Sequence, residues 1–134
     1  MATMKILCFG DLVGVPGQSL FMKWGRRLKE QHKADMVLVN GENAAVNGRG
    51  ITPAIVTLLR EHGADVITSG NHIWAQKQIY STLTQTDRLL RPYNFPAGCP
   101  GTGVSIIPIG EHRVGVLNLQ GRIFMHDHLA CPFK

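Results

Sequence analysis

The fold is decided by the stretch MVLVNGEN at residues 36–43, where an apolar run ends abruptly in polar residues. Four consecutive apolar residues have the length of a short strand, and the lack of alternation is typical of a strand covered on both faces of a parallel sheet. The same pattern occurs at residues 6–9, which end in Gly10-Asp11, and at residues 66–68, which lead into another polar segment. The sequence therefore predicts three short buried strands in one sheet.

Helical patterns separate these strands. Between residues 18 and 31, apolar residues recur three and four positions apart, which predicts an amphipathic helix. Thr52 and Pro53 predict the start of a second helix, because Thr52 can cap it and Pro53 needs no amide hydrogen there, and Gly63 predicts its end. A third helix is predicted from residue 74 to about residue 83. Since parallel strands need a crossover, the β-α-β-α-β-α order predicts an α/β domain.

The last third of the chain does not continue the alternation of strand and helix patterns. A Pro- and Gly-rich segment at residues 92–103 is followed by apolar runs at residues 104–109 and 114–119, which flank the polar residues 110–113. This arrangement predicts a β-hairpin with a four-residue turn. Residues 121–134 show no periodicity and are predicted to form a loop.

Composition limits the classes of protein that fit. The chain has 134 residues, of which 44% are hydrophobic and 17% charged, and its formal net charge is +5. These values are ordinary for a globular domain and exclude a disordered chain, so residues 1–134 are predicted to form a single domain. Its densest basic group, Arg26-Arg27 with Lys29, lies on the first predicted helix beside Glu30 and favours a solvated face over a nucleic-acid patch.

Cysteine usage and the start of the chain predict a cytoplasmic protein. Cys8, Cys99 and Cys131 show no C-x-x-C spacing, and Cys8 lies within an apolar run where a reduced, buried thiol is expected. The apolar run near residue 6 is too short for a signal sequence or a membrane span. No membrane association is predicted.

Polar side chains follow each of the three predicted strands, and they are Asp11, then Asn40, Glu42 and Asn43, then Asn71 and His72. Because the carboxyl ends of parallel strands share one edge, these side chains are expected to converge where α/β proteins bind ligands. Carboxylate, amide and imidazole groups suit Mn²⁺, Fe²⁺, Mg²⁺ or Zn²⁺. The pattern predicts a metal site at this edge.

Simpler interpretations exist for the single clusters. Asp11 can cap the turn that follows it, and Asn40-Gly41 can be a turn pair. Dinucleotide binding is the main alternative function, but residues 10–17 lack the G-x-G-x-x-G spacing and place a carboxylate where a pyrophosphate would be repelled.

Five motifs of this sequence resemble those of one known bacterial protein family. They are GDLVG at residues 10–14, NGENAA at 40–45, GNHIW at 70–74, LRP at 90–92 and NLQGRIFM at 118–125. The family is that of the YmdB-like cyclic-nucleotide phosphodiesterases, which are distant relatives of the calcineurin-like phosphatases. The resemblance implies the calcineurin-like metallophosphoesterase α/β sandwich, of which this chain holds the N-terminal βαβαβα portion and a hairpin.

The resemblance also implies roles for individual residues. It implies two divalent or mixed-valence metal ions, most often Fe or Mn, with Mg or Zn as alternatives. Asp11 would bind one ion, Glu42 would lie between the two, Asn71 would bind the second, and Asn43 would stand close by. His72 would contact the phosphate and protonate the leaving oxygen.

The implied substrates are phosphodiesters such as 2′,3′-cyclic AMP, which can derive from RNA. The implied nucleophile is a metal-bound hydroxide. Arg49, in the loop after the second motif, is a candidate for binding the substrate phosphate, and a solvated loop arginine is the alternative interpretation.

The resemblance implies that part of the site is absent from this chain. Family members are about twice as long, and their later half supplies three further metal-binding histidines, so the chain is predicted to be truncated at its C-terminus. His126 and His128 are candidate replacements, against the simpler expectation of surface histidines, and Ala75 stands where the family usually has an acidic residue. An incomplete sandwich leaves an apolar face exposed, which predicts a homo-oligomer or a second chain that completes the fold. A catalytically inactive, partner-binding homologue is the alternative to an enzyme.

Overall fold

A parallel sheet and a separate hairpin contain the strands of the protein. The structure is a computed structural model that describes residues 3–125 and 129–133. Within these ranges the elements in chain order are β1 (Ile6–Phe9), α1 (Gly14–His32), β2 (Met36–Asn40), α2 (Pro53–Glu61), β3 (Val66–Thr68), a 3₁₀-helix (Asn71–Ala75), α3 (Ile79–Gln85), β4 (Leu89–Leu90), β5 (Val104–Ile109) and β6 (His112–Leu117). No helix among the described residues is both long and apolar enough to cross a membrane.

The sheet has the predicted parallel topology. Its strands lie in the order β1-β2-β3-β4, and each neighbouring pair is parallel. The predicted bounds of β1 and β3 are confirmed, and β2 extends one residue further, to Asn40. The sequence interpretation missed β4, because a two-residue strand is too short to produce a recognisable pattern.

Helix α1 begins earlier than predicted, at Gly14 and not near residue 18. Residues 14–17 contain two glycines and a proline, so their sequence shows no helical spacing of apolar residues. Pro16 lies in the first turn, however, where backbone amides have no partner within the helix, so its missing amide hydrogen costs little. The first motif therefore leads directly into a helix.

Helix α2 has the predicted start and end. The hydroxyl of Thr52 accepts a hydrogen bond from the amide of Ile55 at 3.4 Å, and Pro53 is the first helical residue. Gly63 follows the helix with φ of +104°. The capping residues thus act as the sequence indicated.

The predicted third helix is wrong as a continuous element. A 3₁₀-helix at Asn71–Ala75 comes first, and α3 begins only at Ile79. The ring of Trp74 packs against those of Tyr80 and Phe95, with centroids 5.4 and 5.7 Å away. Tertiary packing of this segment therefore takes precedence over its local helical pattern.

The hairpin turn is tighter than the predicted four-residue turn. Ile109 pairs with His112, so only Gly110 and Glu111 connect the strands. Gly110 has φ of +56°, which a tight hairpin turn requires at this position and which glycine adopts without steric cost. Strand β6 accordingly starts and ends two residues before the predicted run.

The two faces of the sheet are covered by different partners. One face packs against the helices and contributes Val37, Val39 and Ile67 to the main core cluster. The opposite face packs against the hairpin, where Met36 and Ile107 belong to a second buried cluster. The protein is thus built in layers of helices, sheet and hairpin.

Strand β1 is not covered on both faces, contrary to the sequence prediction. Ile6 is 47% exposed, and Cys8 is also exposed, so the expectation of a buried thiol is wrong. Strand β1 lies at the edge of the sheet, and the second cluster draws its sheet residues from β2, β3 and β4 among the described residues. An apolar run alone does not distinguish an edge strand from a central one.

The C-terminal segment agrees with the loop prediction over its described part. No helix or strand occurs within residues 121–125 and 129–133. His126 and His128, the candidate replacement ligands, lie outside the described residues.

Candidate functional site

Three loops meet at the carboxyl edge of the parallel sheet. The loop after β1 is tied to the loop after β2 by hydrogen bonds from the amide of Leu12 to the carbonyl of Asn40 (3.0 Å) and from the amide of Gly14 to the carbonyl of Asn43 (2.9 Å). The amide of Gly41 bonds the carbonyl of Thr68, at the end of β3, at 3.0 Å. The polar clusters of the three loops are thereby held at one edge.

A continuous chain of side-chain contacts crosses these loops. The amide nitrogen of Asn43 lies 3.0 Å from each carboxylate oxygen of Asp11. The amide oxygen of Asn43 lies 2.6 Å from Nδ1 of His72, and Nε2 of His72 lies 3.3 Å from Nη2 of Arg49. The structure therefore brings together four of the residues singled out from the sequence.

The donors and acceptors along these contacts define the orientation of the His72 ring. The carboxylate of Asp11 only accepts hydrogen bonds, so it takes the amide hydrogens of Asn43 and leaves the amide oxygen for His72. Nδ1 of His72 must then donate its hydrogen to that oxygen. Because the guanidinium of Arg49 only donates, Nε2 accepts from it. These contacts thus turn Nδ1 of His72 toward the Asn43 amide oxygen and Nε2 toward the Arg49 guanidinium.

Glu42 lies beside these side-chain contacts in a confined position. Its carboxylate oxygen Oε1 lies 3.6 Å from Nδ1 of His72, and its backbone amide bonds the side-chain oxygen of Asn40 at 3.1 Å. A Cβ atom added to Gly70 would lie only 1.7 Å from Oε2 of Glu42. Any larger residue at position 70 would therefore displace the Glu42 carboxylate from this position.

The environment of Glu42 disfavours its charge. Burial of the carboxyl group raises its pKa above the ordinary value, the neighbouring His72 lowers it, and Asp11 raises it further. The net direction is upward because burial is the largest of these effects. A metal cation bound at this position would offset both the cost of burying the charged carboxylate and its repulsion by Asp11.

Asn71 takes no part in this network. Its side chain is exposed and forms no hydrogen bond with the other described residues, although its backbone directly follows Gly70 at the wall of the Glu42 site. The amide oxygen of Asn71 is thus left to solvent. The structure brings the backbone of Asn71, but not a side-chain contact, to the site.

The donor groups fit a divalent cation in kind. Asp11 and Glu42 offer carboxylates, and Asn71 and Asn43 offer amide oxygens, of which the Asn43 oxygen keeps a second lone pair after accepting from His72. These donor groups are few: among the described residues, no three His, Cys, Asp or Glu side chains form a cluster suited to a metal ion. The residues therefore fit part of a metal site.

Two supporting residues were missed by the sequence interpretation. Asn118 donates to the carbonyl oxygens of Ser69 and Leu90 at 2.7 and 3.2 Å, and it thereby holds the end of β3 against β4. Its place in the fifth motif was the available signal. Gln76 donates to the carbonyl of Arg49 at 2.9 Å, and no motif pointed to it.

Comparison with known proteins identifies the family. Residues 7–134 match the family described as YmdB-like protein. The chain belongs to this family. It is 42% identical, over 97% of its length, to a Bacillus subtilis (strain 168) protein named 2′,3′-cyclic-nucleotide 2′-phosphodiesterase, of which it covers 48%. The family predicted from the five motifs is thus confirmed.

Two solved structures resemble this YmdB-like chain. A hypothetical protein from Thermus thermophilus superposes with a TM-score of 0.88 at 36% identity, over 97% of this chain and 50% of the other. A novel phosphatase from Mycoplasma pneumoniae superposes with a TM-score of 0.83 at 29% identity, over 91% of this chain and 44% of the other. The predicted α/β fold class is confirmed, and the chain spans about half the length of the relatives it matches.

Proposed function

We propose that this YmdB-like chain carries part of the catalytic site of a metal-dependent phosphodiesterase that hydrolyses cyclic nucleotides such as 2′,3′-cyclic AMP. The observation that carries this proposal is the contact chain from Arg49 through His72 and Asn43 to Asp11, with Glu42 beside it. The name of the Bacillus relative supports the substrate class. The three cysteines are free, which suits the cytoplasm as the compartment.

Metal binding would use the oxygen donors of the three loops. Asp11 would hold one ion, Asn71 would hold the second, Glu42 would contribute to both, and Asn43 would be close by. The family resemblance implies Fe or Mn first, with Mg or Zn as alternatives, and carboxylate and amide oxygens suit such divalent ions. Bound ions would polarise the phosphoryl oxygens and lower the pKa of a bound water. The further ligands of a complete site would come from outside the described residues.

His72 would serve as the general acid. Asn43 holds Nδ1, so Nε2 is the nitrogen that faces Arg49 and the solvent. Once protonated from solvent, Nε2 would pass its proton to the ribose oxygen as a water oxygen bonds to phosphorus and the bond between phosphorus and the ribose oxygen breaks. The Glu42 carboxylate 3.6 Å from Nδ1 would stabilise the imidazolium before the transfer. Such acid catalysis contributes on the order of 10²-fold.

Arg49 would bind the substrate phosphate. Its guanidinium is exposed at the outer end of the contact chain and lies 3.3 Å from Nε2. A guanidinium can bind two phosphate oxygens at once. Because binding of a phosphate occupies the guanidinium, it frees Nε2 to take up the proton that the leaving oxygen needs.

Metal content and turnover, measured together, test this proposal. The chain is loaded with Mn²⁺ or Fe²⁺ under anaerobic conditions, its bound metal is measured, and 2′,3′-cyclic AMP is offered as substrate. Asp11→Asn should lose metal, whereas His72→Ala should keep metal and lose turnover. Asp87→Asn, which changes an exposed carboxylate outside the site, is the matched control. Absence of metal above trace in the unchanged chain would reject the metal site.

A second candidate function is that of a self-associating or partner-binding module. Three outward-facing side chains of the hairpin are apolar and exposed: Val104 is 42%, Ile106 55% and Leu117 54% exposed. We call these three residues the outer hairpin face. Because contiguous exposed apolar side chains are typical of an interaction surface, we propose that a second copy or another chain covers this face. Metal binding without turnover would favour this candidate.

A further inference from the structure

The loop that carries Arg49 is tied to the turn that carries His72. Gly50 packs so closely against this turn that an added Cβ atom would lie 3.1 Å from the carbonyl oxygen of His72 and 3.1 Å from Cβ of Ala75. The loop is also closed on itself, because the amide of Ala45 bonds the carbonyl of Gly50 at 2.8 Å. The position of Arg49 relative to His72 thus depends on contacts between two separate segments.

Gln76 makes the polar contacts between these segments. Its side-chain nitrogen lies 2.9 Å from the carbonyl oxygen of Arg49 and 3.4 Å from the side-chain oxygen of Asn47. That asparagine oxygen also accepts a hydrogen bond from the backbone amide of Arg49 at 3.2 Å. Both backbone polar groups of Arg49 are therefore held, one by Gln76 directly and the other through Asn47.

Gln18 provides a natural comparison on the other side of the same loop. It lines the same surface cavity as Gln76, and its side-chain nitrogen donates to the carbonyl of Ala44 at 2.7 Å. Ala44 is buried at the beginning of the loop, five residues before Arg49. The two glutamines thus hold opposite ends of one loop, and only Gln76 contacts the segment that bears the guanidinium.

We propose that Gln76 is a positioning residue that fixes Arg49 beside His72, and so sets the place at which a phosphate is bound. The inference rests on the proposed role of Arg49 in phosphate binding. The side chain of Gln76 bonds Asn47 and the carbonyl of Arg49, and neither the guanidinium of Arg49 nor the ring of His72 is among its hydrogen-bond partners in the described part of the chain. Its effect runs through the backbone of residues 47–49, which would otherwise be an exposed loop rich in turns.

Spectroscopy of the metal-free chain tests the positioning directly. Gln76→Met keeps the length of the side chain and removes its donor, and Gln18→Met is the matched control. In the unchanged chain the backbone order parameters of residues 47–49 should be about 0.85, and in Gln76→Met they should fall below about 0.6. The nuclear Overhauser contact between Arg49 and the ring of His72 should disappear with them. Gln18→Met should retain both signals, and a rigid loop with the same contact in Gln76→Met would overturn the proposal.

A titration with inorganic phosphate separates this proposal from the proposed function. Loss of one hydrogen bond that orders the guanidinium should weaken phosphate binding about fivefold in Gln76→Met and leave it unchanged in Gln18→Met. Equal affinities in the two variants would overturn the positioning role. If the unchanged chain binds no phosphate, the role of Arg49 in the proposed function fails, while the loop signals still decide whether Gln76 positions Arg49.

Discussion

The loop edge of the sheet and the outer hairpin face lie at the surface for different reasons. At the loop edge, Asp11, Asn43 and His72 find their partners within this chain. On the outer hairpin face, Ile106 and its neighbours are apolar and exposed. The positions of the polar side chains at the loop edge are therefore set by hydrogen bonds within the chain. Burial of the outer hairpin face would instead need a partner surface beyond the described residues. The two regions should respond differently to mutation.

The largest effect is expected at Gly70. In Gly70→Ala the new methyl group would meet the Glu42 carboxylate at 1.7 Å, so the carboxylate must leave its position. We expect metal affinity to fall about 100-fold, as for the loss of a supporting contact in a metal site. Gly10→Ala is the matched control, because Gly10 also precedes a site residue but has no atom within 4 Å of an added Cβ. Calorimetric titration with Mn²⁺ gives both affinities, and equal losses in the two variants would contradict this account of Glu42.

A charge on the outer hairpin face should disrupt association without touching the site. Ile106→Asp removes an apolar side chain from the proposed interface and should weaken self-association by about 2 kcal/mol for each copy. The matched control is Ile123→Asp, at a side chain that is 81% exposed in the C-terminal loop. Sedimentation measures the effect. A stable monomer of the unchanged chain at micromolar concentration would exclude self-association.

Removal of the Asn43 side chain should affect the loop edge alone. In Asn43→Ala the hydrogen bonds to Asp11 and His72 are both lost, and we expect the free energy of unfolding to fall by about 1 kcal/mol. The Nδ1 proton signal of His72 should also exchange faster with solvent. Chemical denaturation and nitrogen-detected spectra of the imidazole measure these changes. An unchanged Nδ1 signal would mean that Asn43 does not hold the ring in solution.

The smallest effect is expected from Glu42→Gln in the metal-free chain. Because the folded pKa of Glu42 lies above its ordinary value of 4.5, the unfolded chain loses this proton first as pH rises. As pH rises from 4.5 to the raised pKa, the free energy of unfolding of the unchanged protein therefore falls, whereas that of the neutral variant does not. We expect the variant to be the more stable at pH 7, with a difference that vanishes below the ordinary pKa. Thermal unfolding across pH measures it, and a variant less stable at pH 7 would contradict the assigned direction.

Much of the fold could be predicted because short apolar runs ending in polar clusters fix both the strands and their parallel order. The capping of α2 followed from Thr52 and Pro53 alone. The exposed side of β1 could not be predicted, since Ile6 and Cys8 have the same apolar character in an edge strand as in a central one. The break between the 3₁₀-helix and α3 depends on packing between distant segments, which periodicity does not report.

The candidate site was predictable in its residues and not in its contacts. Parallel topology predicts that the loops after β1, β2 and β3 share an edge. The sequence contains no sign that the Asn43 amide would join Asp11 to His72, because that contact depends on side-chain rotamers. Gln76 was missed for the same reason, since it acts through the backbone of a loop that lies 27 residues before it.

Paramagnetic broadening by Mn²⁺ tests most directly whether the three loops form one metal site. Substoichiometric Mn²⁺ is added to the isotope-labelled chain, and the amide signals of all residues are followed. We predict that the signals of Asp11, Glu42 and Asn71 broaden together while those of the outer hairpin face remain sharp. Broadening centred elsewhere, or at only one of the three loops, would contradict the account.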